Sequence, residues 1–176
     1  QFQDQTGSTG CQLCGPGTFS ATPRLANCIP CPPGRAVAVN GSERCEDCLA
    51  GTYADQPGSV VCLPCKKGQV TTGSGLAVCE NCPAGKYSDT EQASVCTPCD
   101  VGKYINITGQ TVCLDCPPGR SADTTGNPIC PPCKQGQYQD QYNQIGCKPC
   151  PEGTATNELG SAVCPACPDG TFGATQ

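Results

Sequence analysis

Cys11-Gln12-Leu13-Cys14-Gly15-Pro16-Gly17 opens a pattern, Cys-x-x-Cys-x-x-Gly, that the chain then repeats without a slip. The leading cysteines are Cys11, Cys28, Cys45, Cys62, Cys79, Cys96, Cys113, Cys130, Cys147 and Cys164, each 17 residues after the last. The second cysteines, Cys14 through Cys167, and the glycines, Gly17 through Gly170, keep the same step. All 20 cysteines lie on this grid. With Cys11 as position 1, every residue has a position in a 17-residue repeat. A fixed short period denotes an array of small stacked units rather than one globular domain.

Composition agrees. In 176 residues there is no Trp or Met, while Gly numbers 22 and Pro 18. So few large apolar groups cannot bury enough surface to offset the entropy of ordering. Cross-links must do it instead, and disulfides persist in oxidising compartments, which places the chain outside the cell or on its surface. The net charge of −5 is carried by scattered residues, which argues against nucleic acid as a partner. No apolar run is long enough to span a bilayer within this segment. Asn40-Gly41-Ser42 and Asn106-Ile107-Thr108 are acceptor sequons, so N-linked glycans are expected at Asn40 and Asn106.

The ends fall in mid-repeat. Residues 1–10 read as the tail of a preceding repeat, 11–95 as five repeats, and 96–176 as five more, the last truncated. Counting back from Cys11, Phe2 shares position 9 with Phe19, Tyr53, Tyr87, Tyr104, Tyr138 and Phe172. Asp4 shares position 11 with Asp55, Asp89, Asp123 and Asp140. Gly7 shares position 14 with Gly41, Gly58, Gly75, Gly109, Gly126 and Gly160. Position 9 alternates aromatic and small, from Phe19 to Tyr87 and again from Tyr104 to Phe172, a superperiod of five repeats. A twisting rod or a duplicated gene block would each produce it.

Within a repeat, Gly and Pro are too frequent for a helix. Gly-x-aromatic after the second cysteine reads as a short strand leaving a tight turn. Asp at position 11 and Gly at position 14 read as turn residues. A second short strand is expected in the residues entering the next cysteine, as in Val60-Val61-Cys62, Ala77-Val78-Cys79 and Ala162-Val163-Cys164. The expected fold is small and disulfide-rich: a linear array of two-stranded β-loop units forming an elongated rod without helix.

Two disulfide patterns compete. One joins the second cysteine of a motif to the first of the next: Cys14-Cys28, Cys31-Cys45, Cys48-Cys62, Cys65-Cys79, Cys82-Cys96, Cys99-Cys113, Cys116-Cys130, Cys133-Cys147 and Cys150-Cys164. Cys11 and Cys167 would then pair outside the segment. The other interlocks neighbours, Cys11 with Cys28 and Cys14 with Cys31, and takes units in twos, which a five-unit superperiod does not divide. Four-thiolate zinc at paired Cys-x-x-Cys motifs needs reduced cysteines, and calcium at one Asp per repeat lacks enough oxygen ligands. No metal or other cofactor is expected. With no His and no core to hold a substrate pocket, catalysis is not expected. The position-9 aromatics read as covers for neighbouring disulfides.

The motif Cys-x-x-Cys-Pro-x-Gly-Thr-Tyr/Phe resembles the cysteine-rich repeats of ephrin-receptor ectodomains. It is also similar to the first module of tumour necrosis factor receptor cysteine-rich domains, in the broad EGF-like class. Cys48 to Tyr53, Cys82 to Tyr87 and Cys167 to Phe172 match it best. The resemblance implies extracellular, disulfide-laddered modules whose matching loop closes from the second cysteine to the next first one. The strict spacing looks more like long arrays in surface and flagellar-hair (mastigoneme-like) proteins of unicellular eukaryotes. That implies a glycosylated structural fibre, hair or stalk whose partners are copies of itself or other fibre proteins. A ligand-binding or adhesion receptor ectodomain is the alternative.

Overall fold

The computed structural model describes residues 10–22 and 27–172. Among these there is no helix, only strands of two residues joined in antiparallel pairs. Contacts divide the chain into two units, Gln1–Asn81 with Thr90–Cys96, and Cys82–Asp89 with Thr97–Gln176.

The first unit holds four hairpins. They are β1 (Thr18–Phe19) with β2 (Ile29–Pro30), β3 (Arg35–Ala36) with β4 (Glu46–Asp47), β5 (Thr52–Tyr53) with β6 (Leu63–Pro64), and β7 (Gln69–Val70) with β8 (Glu80–Asn81). The second holds β9 (Lys86–Tyr87) with β10 (Thr97–Pro98), β11 (Lys103–Tyr104) with β12 (Leu114–Asp115), and β13 (Gln137–Tyr138) with β14 (Lys148–Pro149). Single bridges at Arg120↔Pro132 and Thr154↔Ala166 continue the series. Every pair sets position 8 against position 3 of the next repeat.

The second strand therefore lies between the two cysteines of a motif, not before them. This corrects the sequence expectation. Val60 and Val61 form a bend and are 44% and 58% exposed, while Leu63–Pro64 pairs with Thr52–Tyr53. The reason is the turn register. Gly58, at φ +78°, turns the chain and donates its N–H to Cys31 O at 2.8 Å, which ties the residues around it to the previous repeat instead of to a strand. Proline at position 3 is tolerated because these strands lie at an edge and need no N–H there.

Backbone hydrogen bonds stack the repeats. In the first unit Gly17 N–H donates to Val37 O at 2.7 Å, Cys31 N–H to Gly17 O at 2.9 Å, and Gly41 N–H to Cys14 O at 2.8 Å. In the second, the equivalents are Gly102 to Ala122 at 2.7 Å, Cys116 to Gly102 at 2.8 Å, and Gly126 to Cys99 at 2.8 Å. Side-chain packing adds little, so these bonds and the disulfides carry the stacking.

Glycine is required at position 7 twice over. Gly34 has φ +87°, as a type II turn demands of its third residue. A Cβ there would also run into the carbonyl of Gly75, two repeats on. Position 14 also takes positive φ. Gln92 (φ 60°) and Asn143 (φ 58°) are the non-glycine residues that adopt it, at two repeats where position 14 is not glycine.

Candidate functional site

The chemistry of this chain is its disulfide ladder. The bonds join Cys14–Cys28, Cys31–Cys45, Cys48–Cys62, Cys65–Cys79, Cys99–Cys113, Cys116–Cys130, Cys133–Cys147 and Cys150–Cys164, each over a separation of 14 residues. Their Cα atoms lie 5.5–5.8 Å apart, within the ordinary range. Cys82 and Cys96 are disulfide-bonded as well. Each bond closes a loop whose mouth is one two-stranded pair, so ladder and hairpin hold each other in register. Cys11, which is exposed, and Cys167, which is half-buried, have no disulfide partner among the described residues.

What little core exists is built on this sulfur. The position-4 cysteines from Cys14 to Cys133 are at most 1% exposed. Phe19 packs on Cys31, Val37 and Cys45, and Tyr104 packs on Cys116, Ala122 and Cys130. Each ring thus covers the disulfide of the next repeat. Position 10 is the other inward site: Ser20, Val37, Ala54, Thr71, Ser88, Ile105, Ala122 and Gln139 are all buried. Sequence reading missed this position because its residue types vary from Ser to Ile. The polar ones are satisfied locally. Thr71 Oγ1 accepts from Gly51 N–H at 2.7 Å, and Gln139 Nε2 donates to Gly146 O at 2.6 Å.

Across each hairpin mouth, positions 8 and 3 face one another. Arg35 meets Asp47 at 2.7 Å, Lys103 meets Asp115 at 2.6 Å, and Gln69 Nε2 donates to Asn81 Oδ1 at 3.0 Å. The pairing was readable in principle, since a basic residue at position 8 accompanies Asp at the following position 3 in both ion pairs. In the second unit Lys148 instead bonds Asp140 at 2.6 Å and lies 5.7 Å from the centre of the Tyr138 ring. That hydrogen bond, with a backbone one, holds the Asp140 carboxyl below its ordinary range. The same bond raises Lys148.

The sequons are accessible: Asn40 and Asn106 are both exposed. Asp55, Asp89, Asp123 and Asp140 are also exposed, and among the described residues no three His, Cys, Asp or Glu side chains gather as a metal site would need. The cysteines that four-thiolate zinc would require are oxidised. Phe2, Asp4 and Gly7 lie outside the described residues. No described helix is long and apolar enough to cross a membrane.

The family model for tyrosine-protein kinase ephrin type A/B receptor-like repeats matches residues 34–82 and 85–127. The chain belongs to this ephrin-receptor-like family. These residues, more than half of the chain, include hairpins of both units, so the family assignment covers the repeat itself and not one end of it. Modules of this kind are extracellular and disulfide-rich, and are held by cross-links rather than by an apolar core. No curated protein matches the chain.

Proposed function

We propose that this chain is a structural extracellular protein that builds a stiff fibre, hair or stalk from disulfide-closed repeats. Its partners are copies of itself or other fibre proteins, and it is not an enzyme. The observation that carries the reading is uniformity. The same hydrogen bonds, from Gly17 to Val37 and Cys31 to Gly17, recur at Gly119 to Gln139 and Cys133 to Gly119 with lengths within about 0.1 Å. A surface shaped for one ligand needs local irregularity, whereas a load-bearing array needs sameness. Electron microscopy of native material tests it: uniform filaments are expected, and isolated short particles would remove the reading.

The family's name favours a second reading, a receptor or adhesion ectodomain. Soluble segments binding a cell-surface protein at a single saturable site would support it over the fibre. In either case Asn40 and Asn106 are exposed and would carry N-linked glycans. Peptide-N-glycosidase treatment should lower the mass of secreted material; unchanged mass would exclude the glycans.

A further inference from the structure

We infer that small thiols modify this ladder at particular sulfurs: the position-1 cysteines Cys62, Cys79, Cys113 and Cys147 are open to thiol exchange, while the disulfides Cys31–Cys45 and Cys116–Cys130 are closed to it. The inference holds for a fibre and for a receptor ectodomain alike.

The two sulfurs of a bond are not equally placed. Cys48, Cys65, Cys99 and Cys133, at position 4, are at most 1% exposed. Their position-1 partners are half-buried: Cys62 and Cys79 in the first unit, Cys113 and Cys147 in the second. A thiolate must reach the sulfur it attacks, so each of these bonds offers one target, at position 1. Cys31–Cys45 and Cys116–Cys130 offer none. Cys45 is 5% and Cys130 3% exposed, and both partners are fully buried. All six bonds have described residues of the neighbouring repeats on both sides, so stacking and not an end sets their exposure.

Two features coincide at the closed bonds. Phe19 packs on Cys31 and Cys45, and Tyr104 packs on Cys116 and Cys130. A ring alone does not close a bond, since Tyr53 and Tyr87 stand at the same position before the half-buried Cys79 and Cys113. The second feature is arginine at position 8. Both closed bonds begin the sequence Cys-Pro-Pro-Gly-Arg, Cys31 to Arg35 and Cys116 to Arg120, five repeats apart, whereas position 8 elsewhere is Thr, Gln or Lys. Arg35 Nε meets Asp47 at 2.7 Å, two residues past Cys45. Arg120 Nη1 donates to the carbonyl of Cys130 itself at 2.8 Å. An arginine anchored there covers apolar surface with its methylene stem. The five-repeat superperiod therefore has a chemical content: it spaces the protected bonds.

Exchange at an open bond proceeds in two balanced steps. A glutathione thiolate attacks Cys62 Sγ, the Cys48–Cys62 bond breaks, and Cys48 leaves as a thiolate that takes up a proton. A second glutathione thiolate then attacks the mixed disulfide, releasing glutathione disulfide and the Cys62 thiol. The test exposes the oxidised full chain, under native conditions, to brief treatment with glutathione, then traps thiols with N-ethylmaleimide for peptide mapping. The first products should carry glutathione on Cys62, Cys79, Cys113 or Cys147, with Cys31, Cys45, Cys116 and Cys130 unmodified. Even labelling of all bonds, early labelling of the closed pair, or glutathione on position 4 would overturn the inference. Arg120→Gln should speed exchange at Cys116–Cys130 roughly tenfold, the worth of one charged hydrogen bond. Cys31–Cys45 in the same molecule should keep its rate. No change at Cys116–Cys130, or an equal rise at both bonds, would show that arginine is not the cover and overturn the inference.

Discussion

At position 7, one hydrogen atom in place of a side chain decides whether repeats can stack. Gly34 holds φ +87° and lies against the Gly75 carbonyl, so Gly34→Ala combines backbone strain with a clash. It should destabilise by about 3 kcal/mol in chemical unfolding. Gly58 has φ +78°, but its nearest neighbours lie 3.8 Å from the place a Cβ would take. Gly58→Ala should cost about 1 kcal/mol. Equal losses would contradict the close approach. Gln92→Gly should conversely gain about 1 kcal/mol, because Gln92 adopts φ 60°. The Lys148–Asp140 pair gives a pH signature. Asp140 is depressed, so its contribution is complete above the ordinary carboxylate value and is lost as pH falls through the lowered one. Lys148 is raised, so its contribution is complete below the ordinary lysine value and is lost as pH climbs through the raised one. An NMR titration should find the Asp140 midpoint below the ordinary carboxylate value, and Lys148→Ala should raise it.

At the scale of the hairpin, two residues per strand cannot stand alone, and the disulfide makes the difference. Replacing Cys48 and Cys62 together by Ala should cost roughly 3 kcal/mol by the chain-entropy model. Hydrogen exchange should then quicken first at the Thr52–Tyr53 and Leu63–Pro64 pair that this bond closes. Protection unchanged there would mean that the ladder is not what holds the strands. The cross-strand ion pair Lys103–Asp115 is half-exposed, and its loss should cost under about 1 kcal/mol and fade with salt. The cysteine grid made the hairpin, the loop size and the absence of helix legible in the sequence. The second strand was misjudged because Val60-Val61 looks like a buried β run, whereas Leu63–Pro64 carries a proline that reads as a breaker. Position 10 stayed hidden because Ser20, Ile105 and Gln139 share a place and no chemistry. Bonds from one main chain to the next leave no mark on side-chain type, apart from the glycines that make room for them.

For the whole molecule, stability is a sum over repeats and their contacts rather than one cooperative core. Reduction and alkylation should abolish protease resistance along all repeats, since the buried surface that remains is mostly sulfur and small side chains. Survival of a resistant fragment, read by mass spectrometry, would show an apolar core that holds without the disulfides. Neighbour coupling also reaches further than adjacent repeats, because Gly17 touches Gly58 and Gly119 touches Gly160, each two repeats away. Damage to one repeat should therefore be felt in two on either side.

That second-neighbour touch makes the chain intolerant of any change in length smaller than its own unit. A residue gained or lost between Gly17 and Gly58 moves Gly58 off the place where it meets Gly17, and one that falls between Cys31 and Cys45 also changes the 14-residue separation their disulfide closes. Whole blocks of 17 codons, by contrast, slip in or out with no seam. Natural variants of such an array should differ in quanta, longer or shorter by entire repeats and seldom by anything in between.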